Sequence, residues 1–265
     1  MIPPADVMRR YDLRDPKFVA ETGIAHVWQV HMGNGDLAAL KIYKDDDPKG
    51  EDIGFRLIQS LDGAGVVKVY HFAHSVAVME WLDGPSLAEL SRSGDDDRAN
   101  AILIEVADAL HQRPTQIDLP TLADQFTPLF EHKVSGNLFR AQEIARSLIG
   151  NQIEIKMLHG DLHHDNIKDS ARGYLAYDAK GVIGDRAYEL ANAFQNPLGA
   201  EALVHDPARA RRMANTWAQH WNTSPKRLLS WAVAHCALSI TWGWDGDEQT
   251  HLNLLDMLCG VLDGC

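Results

Sequence analysis

Apolar and polar residues alternate with period two over three stretches near the N-terminus, Phe18 to Glu21, Ala25 to Met32 and Leu37 to Tyr43. That alternation predicts three strands, each turning one face to a core. Gly33-Asn34-Gly35-Asp36 separates the last two, and Asn-Gly between alternating runs is a hairpin signal because both central residues of a type I′ turn need positive φ. From Glu51 to Leu61 the period changes, with Ile53, Leu57, Ile58 and Leu61 on one helical stripe. Two more strands are predicted over Val66 to Phe72 and Ser75 to Trp81, before Gly84-Pro85 breaks the pattern.

Beyond Ser86 the periodicity is mainly helical. Asp95 or Asp96 is placed to cap a helix through His111, with Ile102, Leu103, Val106, Ala107 and Leu110 on one face. Pro114 and Pro120 bracket a loop, and Leu122 to His132 and Leu138 to Ile149 follow as helices. Asp185 opens a predicted helix from Arg186 to Phe194. Asp206-Pro207 and Ser224-Pro225 each pair a capping residue with a proline at the first helical position, and their helices run to about Trp221 and Thr241. A last helix is predicted from about Glu248 to Leu262. The fold class is therefore α+β: a small antiparallel sheet over residues 1–80, then a mainly helical part over residues 81–265.

Composition narrows the function classes. The chain has 265 residues, 45% of them hydrophobic, which suits an ordinary globular protein. Its net charge of −12, from 37 acidic and 25 basic residues, offers no basic field for a nucleic-acid backbone, so no nucleic-acid partner is expected. The most apolar segment, Leu228 to Trp244, is interrupted by Ser230, His235, Ser239 and Thr241, short of the roughly 20 apolar residues that span a bilayer. It reads as a buried core helix, and no membrane association is expected. Three cysteines with no C-x-x-C spacing give neither a disulfide framework nor a zinc ribbon. With no basic, apolar leader at the N-terminus, the cytoplasm is the expected location.

The candidate chemistry lies in Met157-Leu-His-Gly-Asp-Leu-His-His-Asp-Asn-Ile167, which contains H-x-D-L-x-x-x-N from His159 to Asn166. In phosphotransferases that use this pattern the Asp accepts the proton of the acceptor hydroxyl and the Asn five residues on holds magnesium. Asp161 and Asn166 occupy those places. A strand ending at Asp178 follows, 12 residues after Asn166, and supplies a second carboxylate to a metal site. His159 and His163 also stand four apart, a spacing that holds zinc on a helix, but Gly160 and the surrounding Asp and Asn disfavour a helix there.

These residues resemble the aminoglycoside phosphotransferase superfamily, and within it the streptomycin 6-kinase and hydroxyurea phosphotransferase branch. That branch carries Asp-x-Lys-Gly where protein kinases carry Asp-Phe-Gly, here Asp178-Ala179-Lys180-Gly181. The resemblance implies a bilobal protein-kinase-like fold and an enzyme that uses ATP and magnesium to phosphorylate a hydroxyl of a small molecule, aminoglycoside-like or hydroxyurea, as in antibiotic resistance. It casts Leu37-Ala-Ala-Leu-Lys41 as the strand whose lysine binds the phosphates, Glu51 as that lysine's helix partner with Asp52 competing, and Gly23 as a reduced phosphate loop. Glu80, Trp81 and Leu82 become the hinge at the adenine edge. His159 and Asp185 become supports of the catalytic loop. For a cationic acceptor, Trp242-Gly-Trp244-Asp245-Gly-Asp-Glu248 offers two indole faces and three acids. Two rival readings remain: a pseudokinase that binds nucleotide without transfer, and a zinc hydrolase built on His159, His163 and His164.

Overall fold

A computed structural model of the chain describes residues 1–45, 50–112, 117–243 and 248–265. A short helix α1 (Ala5–Arg10), absent from the periodicity reading, precedes strands β1 (Leu13–Glu21), β2 (Ala25–Met32) and β3 (Leu37–Tyr43). Helix α2 (Glu51–Leu61) and strands β4 (Val69–Ala73) and β5 (Val76–Glu80) complete the first lobe. The five strands form one sheet in the order β1-β2-β3-β5-β4, with every neighbouring pair antiparallel. Trp28, Val30, Leu40 and Val78 fill its outer face under Val7 and Met8 of α1.

Strands β2 and β3 and helix α2 have the predicted bounds. Strand β1 begins five residues earlier than the predicted Phe18, because Pro16 and two register irregularities, between Arg14 and Lys17 and between Phe18 and Ala20, break its alternation. Val66, predicted to start β4, bridges to Ala176 instead, and the Val67 N–H donates to the Ala176 carbonyl at 3.0 Å.

The second lobe contains α3 (Leu87–Arg92), α4 (Asp96–His111), α5 (Leu122–Gln125), α6 (Thr127–Glu131) and α7 (Gly136–Gly150). After it come the small strands β6 (Ile155–Leu158), β7 (Ile167–Lys168), β8 (Leu175–Ala176) and β9 (Val182–Asp185), then α8 (Glu201–Val204), α9 (Pro207–Trp221), α10 (Pro225–Thr241) and α11 (Glu248–Asp263). Helix α10 is buried along most of its length, around Trp231, Val233 and Leu238, as its composition predicts. No described helix is long and apolar enough to cross a membrane.

The capping signals divide. Asp206 accepts from the Ala208 and Arg209 N–H groups and caps α9, whereas Ser224 and Asp95 make no side-chain cap. Asp96 is drawn inward instead, where its carboxylate meets the buried Arg209 guanidinium at 2.8 Å. The single helix expected from Arg186 to Phe194 is two 3-10 turns, Arg186–Leu190 and Asn192–Gln195. Leu122 to His132 is likewise two short helices, α5 and α6, with Pro128 opening the second.

Candidate active site

Strands β6 and β9 pair antiparallel, Leu158 opposite Val182, and two loops leave their ends side by side. The first carries His159 to Asn166, the second Asp178 to Gly181. They are tied together where the Lys180 and Gly181 N–H groups donate to the His159 carbonyl at 2.9 and 3.0 Å. Gly160, Gly181 and Asp178 all have positive φ. At Gly160 a Cβ would stand 3.0 Å from Val182, so the turn both requires and is closed by glycine. At Asp178 the same region costs a non-glycine residue on the order of 1 kcal/mol, a cost found where a side chain must be aimed.

Asp161 stands in the cleft with about a quarter of its side chain exposed. Its Oδ1 accepts from Asn192 Nδ2 at 2.7 Å and its Oδ2 from Asn166 Nδ2 at 3.2 Å. Burial pushes its carboxyl above the ordinary aspartate pKa, against the pull of His163, His159 and Lys180, and so makes it a better proton acceptor. Asn166 Nδ2 also donates to the Asp161 carbonyl at 3.0 Å, while the Asn166 carbonyl accepts from the Tyr177 N–H at 3.0 Å. Asn166 is thereby held next to Asp178.

Across the cleft, Lys41 of β3 reaches down to Asp178 Oδ1 at 2.8 Å and stands 3.6 Å from Glu51 Oε2. Burial opposes the Asp178 charge, but the Lys41 ammonium holds its carboxyl below the usual range. Glu51 also pairs with Lys180 and accepts from the Tyr43 hydroxyl at 3.2 Å. It opens α2, as predicted, and collects both lysines. Asp52 is instead 3.7 Å from Arg56 on the helix surface.

The three histidines do separate things. The buried His159 donates from Nε2 to the Tyr177 carbonyl at 3.1 Å and accepts the Asp161 N–H on Nδ1 at 3.3 Å, which fixes a neutral tautomer. Burial lowers its pKa in the same direction. His163 Nδ1 accepts the Asp165 N–H at 3.3 Å, and His164 Nε2 turns away to Asn100 Oδ1 at 3.0 Å. The rings do not converge, and among the described residues no three His, Cys, Asp or Glu are grouped to hold a metal. The zinc-hydrolase reading loses its ligand set.

Asp185 does not contact the catalytic-loop backbone. It accepts from the Ile153 and Ala187 N–H groups at 3.1 and 2.9 Å and pairs with Arg227, anchoring the far end of β9. The loop rests on Glu189, whose fully buried carboxylate accepts the His159 and Gly160 N–H groups at 3.0 and 3.3 Å and meets His111 Nε2 at 3.0 Å. Burial disfavours that carboxylate, yet these partners hold its pKa below the ordinary value. Sequence reading missed both Glu189 and Asn192. The available signal was an acid and an amide inside the apolar run Tyr188 to Phe194.

Between the lobes lies a cavity of about 330 Å³, bordered by Thr22, Val27, Ala39, Lys41, Leu82 and Asp178. Glu80 and Trp81 reach its edge, but the Glu80 carboxylate is turned to Arg172 and the Lys68 N–H, leaving only its backbone for a ligand. Gly23 has negative or extended φ and a Cβ there would meet nothing within 4 Å, so the chain itself imposes no glycine at this point. A second cavity, of about 210 Å³, opens beside Asn192 between the Gln195 to Glu201 segment and Thr250, His251 and Leu254 of α11. Trp244 and Asp245, the acceptor contacts expected from sequence, lie outside the described residues. Glu248 is the first residue of α11.

A five-stranded sheet lying over a helical lobe, with an aspartate braced by two amides below a strand lysine, defines a protein-kinase-like phosphotransferase. Residues 10–246 match the family of aminoglycoside/hydroxyurea antibiotic resistance kinases, and the chain belongs to that family. It is a small-molecule kinase. Over 227 residues it is 35% identical to streptomycin 3''-kinase of Klebsiella pneumoniae, covering 81% of this chain and 83% of that protein. Among solved structures, a thermostable aminoglycoside phosphotransferase APH(4)-Ia superposes with a TM-score of 0.67 at 15% identity over 97% of both chains. An ethanolamine kinase of Plasmodium vivax gives 0.67 at 15% identity over 96% of this chain and 86% of its own. At those identities the likeness is one of fold.

Proposed function

We propose that the protein transfers the γ-phosphoryl group of ATP to a hydroxyl of a streptomycin-like aminoglycoside. The single observation that carries this is Asp161, held by Asn192 and Asn166 at 2.7 and 3.2 Å, with Asn192 also lining the 210 Å³ cavity. The relative's action on streptomycin supports the acceptor class. A pocket of about 210 Å³ is also far larger than hydroxyurea would fill. Residues 1–80 cover the nucleotide, and residues 81–265 supply the catalytic loop and the acceptor seat. The adenine edge lies against the backbone of Glu80 to Leu82, and the backbone at Gly23 approaches the phosphates. A cytoplasmic setting, where ATP is made, fits this reading.

The acceptor oxygen attacks the γ-phosphorus while its proton passes to Asp161, and the bond to the bridging oxygen breaks so that ADP leaves with that electron pair. Lys41 neutralises phosphate charge from above. Asn166 and Asp178 provide hard oxygen donors side by side, a set that suits magnesium. When bound, that ion neutralises charge on the phosphate oxygens.

A coupled assay of ADP release, run with streptomycin, a panel of other aminoglycosides and hydroxyurea, tests the reading. We expect turnover with a streptomycin-type acceptor, lowered about 10²- to 10⁴-fold by Asp161→Asn, with nucleotide affinity nearly unchanged. Turnover only with hydroxyurea would replace the acceptor. Nucleotide binding without transfer to any compound would favour the pseudokinase.

A further inference from the structure

The kinase scheme uses one lysine, from β3, yet two lysines meet Glu51 here. Glu51 Oε1 pairs with Lys180, while Oε2 faces Lys41 at 3.6 Å and accepts from Tyr43. Lys41 is meanwhile more tightly held by Asp178, at 2.8 Å. Both lysines are therefore stored on acids whose other tasks begin when nucleotide arrives.

Their anchorages differ. Lys41 hangs from the sheet, and its side chain is only 10% exposed. Lys180 springs from the cleft floor: its N–H is bonded to the carbonyl of His159, two residues before Asp161, and its side chain is 49% exposed with Glu51 as its ion-pair partner. Its charge bears on Asp161 and Asp178 as well as on Glu51. A half-exposed ammonium is thus rooted two residues from Asp178 and tied through its backbone to the loop that carries Asp161.

We propose that Lys180 is a second catalytic lysine, which leaves Glu51 and binds the oxygens of the transferring phosphoryl group. Lys41 turns from Asp178 to the nucleotide phosphates and closes on Glu51, whose carboxylate then no longer needs Lys180. During transfer the acceptor oxygen to γ-phosphorus bond forms, the γ-phosphorus to bridging oxygen bond breaks, ADP keeps the electron pair, and Asp161 receives the hydroxyl proton. Lys180 stays protonated throughout and lowers the barrier by charge alone. The inference rests on the phosphotransferase reading given above.

The test compares Lys180→Met, Lys180→Arg and Glu51→Gln. In calorimetry, ADP with magnesium and aluminium fluoride mimics the transferring group without any acceptor present. Lys180→Met is expected to bind ADP with magnesium within about threefold of wild type. It should lose 10²- to 10³-fold in tightness for the fluoride complex and a similar factor in kcat, the worth of one preorganised charge donor. Lys180→Arg should recover part of both. Glu51→Gln should instead weaken ADP binding, through Lys41. If Lys180 merely steadies Glu51, Lys180→Met will reproduce the Glu51→Gln profile and keep the wild-type preference for the fluoride complex, and the proposal falls. A wild-type protein that binds neither complex would overturn the nucleotide reading together with the proposal.

Discussion

Gly54 of α2 lies so close to the carbonyl oxygen of Ala179 that a Cβ on Gly54 would stand 1.7 Å from it. The contact is flush backbone against backbone, and it presses the helix that begins with Glu51 onto the Asp178 to Gly181 loop. Gly181 adds to it, for a Cβ there would meet Ile53 Cγ2 at 3.1 Å. The Glu51 carboxylate reaches Lys41 and Lys180 because nothing separates these two pieces of chain.

Gly54→Ala therefore forces α2 off the loop. Overpacking of this kind costs about 1–3 kcal/mol, and the shift acts on Glu51 first. We expect a lower melting temperature together with a kcat/KM loss larger than the stability loss implies, because the folded fraction at assay temperature stays high. Thermal unfolding and steady-state kinetics on the same sample check it. Wild-type kinetics in a protein that is merely less stable would show that the close packing does not position Glu51.

Asn166 and Asp178 differ in what they bring to a cation. Asp178 contributes a full charge and engages Lys41 at 2.8 Å, whereas Asn166 contributes a neutral oxygen. Asp178→Ala should thus remove most of the magnesium-dependent part of ATP binding, and Asn166→Ala a smaller part. Titrations of ATP with and without magnesium measure the difference. Wild-type magnesium dependence in both variants would place the ion elsewhere.

Strands β2 and β3 and helix α2 were legible because their signals are local: strict alternation, an Asn-Gly turn and a helical stripe each decide a few neighbouring residues. His159 to Asn166 was legible for the same reason, as one short loop must hold both groups. The segment from Arg186 to Phe194 was not. Helical spacing predicted a helix, but Glu189 is pulled to the His159 and Gly160 amides and Asn192 to Asp161, partners about 30 residues away. Tertiary hydrogen bonds broke the helix into 3-10 turns, and no local pattern records that demand. Asp185 misled by position, since its partners, Ile153 and Arg227, come from distant parts of the chain.

Burial holds two histidines neutral far below their ordinary range. His164 and His235 are both pushed down to about 3. The unfolded chain protonates them near 6.5, so between those values it binds more protons than the native state. Stability must then fall as pH falls. Each site contributes about 2 kcal/mol of loss between pH 6.5 and 5, from 1.36 kcal/mol per unit. Denaturant midpoints from pH 7.5 to 5 should decline along that limb. His235→Gln should flatten it by about one histidine's share, whatever its own stability at pH 7. An unchanged slope would mean that His235 takes up its proton in the native state.

The cavity beside Asn192, proposed above as the acceptor seat, gives the last prediction. Its walls are mostly apolar, from Pro197, Leu198, Val204 and Leu254, with a few amides and hydroxyls and one carboxylate, Glu201, which is exposed next to Ala200. Deeper in, Asn196 is buried, donates its Nδ2 to Asn192 at 3.1 Å, and leaves its Oδ1 without a hydrogen-bond partner. An unsatisfied buried acceptor costs stability unless something fills it, and a hydroxyl or ammonium of an amino sugar would do so. Glu201→Gln should therefore raise the KM for a cationic acceptor by about tenfold, the worth of one charge-assisted hydrogen bond of roughly 1.4 kcal/mol. The KM for ATP should stay fixed, because the cavity between the lobes shares no lining residue with this pocket. Asp245→Asn, at the acceptor contact expected from the sequence, should act in the same direction. Acceptor constants unmoved by both changes would take the cationic group out of this pocket, and a preference for neutral acceptors would end the case for an amino sugar.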